Sequence, residues 1–398
     1  MSEPRKAGMA AVLRPQLSDD GPDFSVLLVR RSQRASFMAN AYVFPGGRVD
    51  AADAVAEIGK DFDLASQPGI ATAAAVLDKL VADGVQDPRA ALIAEMTDIL
   101  QRKMARDYAA GATKRDAHPK SLGVLRGRFV IEPQLPAHLR VGVFREAKTY
   151  DCWLRASNAS GKPQSDAVPD LRGLAIKLLD DAGQPLGQDF VLMNHPTMPL
   201  GTVKLFRDAV YYSIERSPLL LSAKLVLTGQ GSVLKALKGA RSRPTSPLDL
   251  RYWSTTPYRW GDKDVVKYGL MPTSQHRSTL PATLADDYLS QAMQAHLDRH
   301  DASFDFGVQL RKGTMPVEDA AVRWDETESP FVTVARLHIP RQTFRTPERD
   351  ALGETLSFSP GHAKPAHTPL GGINRARVAI YQQLSAFRHQ RDQRANIA

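Results

Sequence analysis

Between residues 123 and 339 the chain reads as a series of short strands separated by turn signals, and this pattern constrains its fold more than any other. Segments 123–131, 139–144, 152–156, 174–179, 264–270, 306–310 and 331–339 are the candidate strands. Many strands joined by turns point to a closed or sandwiched antiparallel sheet, because an open sheet leaves unpaired edges. Helical periodicity appears at 70–81 and at 89–108, where Leu92, Met96, Ile99 and Lys103 share one face. One helix, 282–300, lies between strands, and another, 373–391, ends the chain. The expected class is therefore α+β. Before residue 60 the pattern differs: 24–30 reads as a strand, and Tyr42, Val43 and Phe44 form a shorter one ending in Pro45-Gly46-Gly47.

With 398 residues, 43% of them apolar and 24% charged, the chain can bury a large core without covalent staples. Its single cysteine, Cys152, excludes an intramolecular disulfide framework and a multi-cysteine metal cluster. That fits a reducing, cytoplasmic setting. The first residues are basic but carry no apolar core of a secretory signal. The longest apolar run, 219–227, is interrupted by Ser222 and Lys224 and is too short to span a bilayer. The net charge of +9 raises nucleic acid as a partner, but the basic residues are scattered singly. They read instead as solvated surface together with arginines that neutralise buried anions, so no nucleic-acid partner is expected.

The C-terminal helix is the most informative element. At 3.6 residues per turn, Ile373, Arg377, Ile380, Tyr381, Leu384, Phe387 and Arg388 share one face. A guanidinium buried in an apolar face is costly without an anion. Either this face is a surface on which the arginines snorkel, or it meets a buried anion.

Its surroundings resemble the proximal haem segment of the catalases: LSFSP at 356–360, then Arg377-x-x-x-Tyr381, then Arg388. Upstream, RDAH at 115–118, Arg155-x-Ser157, DLRGLAIK at 170–177 and DFVLMNHP at 189–196 resemble catalase distal segments, in the same chain order. The resemblance covers about residues 65–395. It implies a catalase-like antiparallel β-barrel with surrounding helices, and haem b between barrel and helices. Tyr381 would ligate the ferric iron as phenolate, supported by Arg377 one helical turn back. His118 would be the distal base, Ser157 would orient it, and Asn194 would donate a hydrogen bond to the peroxide. Arg115, Arg155 and Arg388 would pair with the haem propionates.

Departures from the catalase pattern bear on activity. Ala117 precedes the distal histidine, where catalases usually have Val and the related allene oxide synthases have Thr. Pro119 and Ser121 replace the usual residues after it. Thr197, Met198 and Pro199 stand where paired phenylalanines are expected, with Phe206-Arg207-Asp208 as a displaced continuation. The pocket should then be wider, which counts against rapid hydrogen peroxide dismutation. The chain more closely resembles the short, catalase-related bacterial haem proteins, which implies organic or fatty-acid hydroperoxides as substrates as much as hydrogen peroxide. The long catalase N-terminal arm is not seen, so an interlocked tetramer is not expected, although a homo-oligomer is compatible. The expected function is a haem-dependent peroxidase or catalase-related activity. The alternatives are a hydroperoxide isomerase or dehydratase of the allene oxide synthase type, and a haem-binding protein with little turnover.

Residues 8–52 resemble the opening strands of a Nudix hydrolase, through MAAVLR at 9–14, VLLVRR at 26–31 and AYVFPGGRVD at 41–50. That family holds divalent metal on a helix bearing R-E-x-x-E-E. Glu57 and Asp61 lack this spacing, and Glu95, with Asp98 three residues on, has no adjacent second carboxylate. The expected division is a partial Nudix-like segment at 1–62 and a catalase-like haem domain at 63–398. Diphosphate hydrolysis would need a metal helix from elsewhere.

Overall fold

The structure, a computed structural model, describes residues 89–395 and four short strands before them. These are Leu13–Gln16 (β1), Asp23–Val26 (β2), Val29–Arg30 (β3) and Tyr42–Val43 (β4), paired antiparallel as β1 with β2 and β3 with β4. Strands β2 to β4 overlap the two segments read as strands, with 24–30 divided between β2 and β3, whereas β1 lies outside both. The expected helix at 70–81, Glu57 and Asp61 lie outside the described residues.

Nine further strands form one antiparallel sheet. They are Ser121–Ile131 (β5), Thr149–Asn158 (β6), Arg172–Leu179 (β7), Pro185–Met193 (β8), Tyr252–Trp253 (β9), Tyr258–Trp260 (β10), Asp264–Pro272 (β11), Ala302–Leu310 (β12) and Val332–Ile339 (β13). The order is β10-β11-β12-β13-β5-β6-β7-β8-β9, and β9 also pairs with β11. That second pairing closes eight strands into a barrel, with β10 appended to β11, and so removes the free edges. The fold is the catalase-like barrel that the sequence implies.

Alternation decides what faces inward. On β6, Cys152, Leu154 and Ala156 are fully buried, and on β5 Leu125 and Phe129 are. Aromatic rings fill the centre: Phe190 lies 4.7 Å and Phe129 5.0 Å from Phe306, centroid to centroid. Each such ring contributes about 1.5–3 kcal/mol through burial, so the barrel interior is a packed core rather than a pore.

Seven helices surround the barrel among the described residues: Ala90–Asp107 (α1), Val203–Glu215 (α2), Pro218–Leu227 (α3), Gly231–Gly239 (α4), Tyr288–Leu297 (α5), Pro347–Thr355 (α6) and Gly372–Ala395 (α7). Local sequence starts several of them. The side chains of Thr202, Ser217 and Thr346 each accept a backbone N–H of the first turn, and Pro218 and Pro347 follow their caps. A second core joins α1 to α7: Ile93, Met96, Leu100 and Met104 pack with Ile373, Ala376, Ile380 and Leu384. Those residues recur at three- and four-residue spacing, so each helix turns one stripe to the other.

The strand expected at 139–144 is instead two 3-10 turns, Ala137–Leu139 and Gly142–Phe144. Gly142 breaks the extended path at φ 53°, and a Cβ there would lie 2.2 Å from His367. The helix expected over 282–300 is shorter. The residues before it are held by tertiary bonds, with the Asp286 carbonyl accepting Asp166 N–H at 2.9 Å.

Candidate active site

The barrel rim nearest α7 is one rung of the sheet. Ser121 opposes Ser157, Ser157 opposes Gly173, and Gly173 opposes Met193. His118 stands just before β5 and so projects from this rim. Together with α7, α1 and the segment after β8, the rim encloses a cavity of about 380 Å³. Its lining includes His118, Arg115, Arg155 and Ser157 on the barrel side, and Arg377, Tyr381 and Arg388 on α7. Apolar side chains make up most of the remaining wall, among them Leu100, Met104, Met193, Met198, Phe206 and Ile380.

His118 is held from three directions. Its Nδ1 lies 2.9 Å from Ser157 Oγ. Its carbonyl accepts a bond from Arg155 Nη2 at 2.9 Å. Its ring lies against Gly173, where an added Cβ would come within 2.8 Å of Cε1 and 2.9 Å of Nδ1. The backbone there is in the left-handed region, φ 58°, which a non-glycine residue occupies only when its surroundings over-determine it. Burial, with Arg155, Arg377 and Arg115 around it, pushes the imidazole pKa down to about 3. At neutral pH the ring is therefore uncharged, with one nitrogen carrying the proton and the other a lone pair. In the tautomer in which Nδ1–H donates to Ser157 Oγ, Nε2 is the basic nitrogen; Nε2 makes no hydrogen bond to a described residue.

On α7 Tyr381 sits one turn after Arg377, whose guanidinium carbon lies 5.7 Å from the phenol ring centre. Arg377 is buried and donates at 3.2 Å to both Thr256 Oγ1 and Asn374 Oδ1. Burial works against its charge, but the phenols of Tyr381 and Tyr258 outweigh this and raise its pKa. The guanidinium thus stays a fixed cation beside the Tyr381 oxygen.

Three more guanidiniums line the same cavity. Arg115 donates to Gly353 O at 2.8 Å and reaches Glu354 Oε2 at 3.4 Å. Arg388 donates to the Glu354 carbonyl. Arg155 Nε is buried with no partner. Burial, Arg155 and Arg388 hold the Arg115 pKa well below its ordinary value, and burial lowers those of Arg155 and Arg388. Glu354, partly exposed, and Asp392, which acts on Arg388 but accepts the Gly111 and Thr113 N–H groups, do not balance three such cations, so this wall calls for anions from a ligand. An apolar cavity lined by an imidazole and a phenol, with guanidiniums of which one has an unfilled donor, fits a flat dicarboxylate macrocycle such as haem. Among the described residues there is no group of three or more His, Cys, Asp or Glu placed to hold a metal ion by itself.

The structure brings His118, Ser157, Arg115, Arg155, Arg377, Tyr381 and Arg388 together as expected. It does not bring Asn194. That side chain is absent from the cavity wall: Oδ1 accepts Arg172 N–H at 2.6 Å and Nδ2 donates to Ser242 Oγ at 3.3 Å. The amide is spent closing the end of β8 against 172 and 242, and Met193 and Met198 face the cavity instead. Gly173 was given no role in the sequence reading, although a glycine inside a strand signals close approach by another group. Glu95, the nearest match to a Nudix metal ligand, accepts Arg207 Nε at 2.8 Å, and Asp98 pairs with Arg102 at 2.6 Å.

Comparison with known proteins agrees with the barrel fold. A family model described as the NUDT19 Nudix domain matches residues 6–106. A catalase-related peroxidase from Mycolicibacterium paratuberculosis is 29% identical over 228 residues, 54% of this chain and 70% of that protein. The linolenate 9R-lipoxygenase of a Nostoc species is 24% identical over 305 residues, 68% of this chain and 37% of that protein. The acyl-coenzyme A diphosphatase NUDT19 of Xenopus laevis is 46% identical over 39 residues, a tenth of each chain. Among solved structures, a fungal catalase and catalase A from Saccharomyces cerevisiae each superpose with a TM-score of 0.59, at 18% and 17% identity. Each superposition covers 72% of this chain, and 61% and 63% of the respective catalases, so the chain spans less than two thirds of either. Fold and similarity together define a catalase-like fold. More particularly, the chain is similar to a catalase-related peroxidase and carries a Nudix-like segment at its N-terminal end.

Proposed function

We propose that this chain is a haem-dependent peroxide-metabolising enzyme, with Tyr381 as the protein ligand to ferric haem b and His118 as the distal base. One observation carries the reading: a neutral, oriented imidazole and an arginine-backed phenol line one apolar cavity edged by uncompensated guanidiniums. Haem would supply the redox chemistry for breaking the O–O bond. Arg115, Arg155 and Arg388 would hold its two carboxylates. Tyr381 Oη would bind as phenolate, with the Arg377 charge offsetting the cost of ionising a phenol of ordinary pKa near 10. His118 Nε2 would take a proton from one peroxide oxygen and return it to the other, while Ser157 and Gly173 keep the ring in place. The apolar wall keeps bulk water away from this transfer. The similarity to a catalase-related peroxidase supports the same reading.

The Met- and Leu-lined wall would suit the apolar chain of an organic or fatty-acid hydroperoxide. A hydroperoxide isomerase or dehydratase is the second reading. It is favoured by that wall and by the similarity to a lipoxygenase whose name specifies linolenate.

Absorption spectra of the haem-loaded protein test the ligand. Tyr381→Phe should lose haem or shift its Soret band, and an unchanged spectrum would remove Tyr381 from this role. Hydrogen peroxide, cumene hydroperoxide and a fatty-acid hydroperoxide, assayed together, separate the activities. His118→Ala should lower every rate by about 10²–10⁴-fold. If it left the rates intact, the distal role would be wrong.

A further inference from the structure

Helix α3 presents two apolar faces. Leu221 and Leu225 are buried against the rest of the molecule, whereas Leu219, Leu220, Val226 and Leu227 are 79, 51, 63 and 85% exposed. At about 100° per residue these four, with exposed Ala223 among them, occupy a single outward arc of roughly 120°. They are four of the ten large apolar side chains exposed among the described residues, gathered in ten residues of chain. A soluble surface tolerates scattered apolar residues, and a contiguous cluster of this kind marks an interaction site.

Charge says what covers it. From 216 to 243 the chain carries Arg216, Lys224, Lys235, Lys238, Arg241 and Arg243 and no Asp or Glu. Lys224 is paired with buried Asp208 at 2.6 Å, and Arg243 donates to the Ala167 carbonyl at 2.6 Å. Lys235, Lys238 and Arg241 are exposed and form no ion pair with a described residue. Helix α4, which carries the two lysines, buries none of its own residues, yet its Leu237 forms part of the cavity wall.

We propose that α3 and α4 dock this protein on an anionic lipid bilayer. The exposed leucines and valine of α3 would enter the headgroup boundary, and Lys235, Lys238 and Arg241 would face lipid phosphates. A two-fold contact between copies of this chain would set the same basic segment against itself, which like-charge repulsion opposes. Docking would put the helix that walls the cavity at the membrane surface, where apolar hydroperoxides partition. The docking itself stands on the patch and its charge, and does not depend on the peroxide reading.

Co-sedimentation of the full, haem-loaded chain with vesicles tests this. Binding is expected to equimolar phosphatidylglycerol and phosphatidylcholine, and to fall sharply with pure phosphatidylcholine. Leu219→Ser with Leu227→Ser, and separately Lys235→Glu with Lys238→Glu, should each weaken binding by roughly tenfold or more. Both pairs lie on the exposed surface, so the Soret band and far-ultraviolet spectrum should not change. No binding to anionic vesicles, or binding indifferent to both variants, overturns the proposal. So does a dimer in sedimentation velocity that the leucine variant converts to monomer without any vesicle binding, since a second copy would then cover the patch.

Discussion

At His118 a strained backbone, a buried neutral ring and a glycine meet, and each has a measurable consequence. Gly173 leaves room for the imidazole, and a methyl group there would sit 2.8–3.0 Å from His118 Cε1, His118 Nδ1 and Ser157 Oγ. Neither ring nor hydroxyl can retreat without breaking their 2.9 Å contact. Gly173→Ala should therefore cost about 1–3 kcal/mol of stability through overpacking. It should also lower the peroxide rate while haem still binds, and unchanged turnover would show that His118 needs no such positioning. The pH dependence has a definite sign. The pKa falls from the ordinary 6.5 of the unfolded chain to about 3 in the fold. Between those values the unfolded chain holds more protons, so this contribution is fully present above pH 6.5 and stability falls as pH drops through the window. Burial likewise lowers the pKa values of His367 and His296, so a comparison with a variant is needed to isolate His118. In thermal melts of the apoprotein, wild type should lose ground to His118→Gln as pH goes from about 7 to about 4.5. A constant gap across that range would mean that His118 is not desolvated.

At the scale of elements, what was legible in the sequence was what local pattern determines. Helix α1 with Met96, Ile99 and Lys103 inward, helix α7 with Arg377 and Tyr381 on one face, and most of the barrel strands follow from period and turn residues. Strand β9, only Tyr252–Trp253, was not legible, because two residues carry no periodicity, yet its pairing with both β8 and β11 closes the barrel. Strand β8 was hidden because it begins PLGQD, and Gln188 and Asp189 are polar but buried. Their partners are distant: Asp189 takes Lys177 at 2.7 Å, His362 Nδ1 at 2.7 Å and Ser359 N–H at 3.1 Å, and Gln188 takes Lys364 N–H at 3.0 Å. Those bonds dock the LSFSP loop, with Phe358 at the cavity, onto the barrel. Asn194 misled for the related reason that a residue in a motif can be used by its immediate neighbours. The run 219–227 was legible as too short for a membrane span, but its outward arc appeared only once Leu221 and Leu225 were seen to be buried. Among the described residues no helix is long and apolar enough to cross a membrane, and a surface helix needs no such length.

At the scale of the whole molecule, the question is where the Nudix-like segment ends and the barrel domain begins. The sequence reading divides the chain at 62, whereas the Nudix family match runs to residue 106 and so takes in nearly all of α1. The contacts of α1 place that helix with the barrel. Leu100 and Met104 line the cavity, and Ile93, Met96, Leu100 and Met104 pack on α7, each apolar side chain contributing about 1.5–3 kcal/mol when fully buried. Polar bonds tie it down as well: Glu95 to Arg207 at 2.8 Å, Lys103 to Asp116 at 3.2 Å and to Gly161 O at 3.0 Å, and Arg391 to the Tyr108 carbonyl at 2.8 Å. A helix held this way is part of the cavity wall, whatever family its sequence resembles. We therefore expect a chain starting at residue 63 to fold cooperatively and take up haem with the Soret band of the full chain. A chain starting at 107 should expose Ile373, Ile380 and Leu384 and lose haem or precipitate. Haem uptake by the shorter chain would show that α1 is dispensable to the pocket. Failure of the longer one would show that the N-terminal strands stabilise the barrel, and that the division at 62 separates parts that fold together.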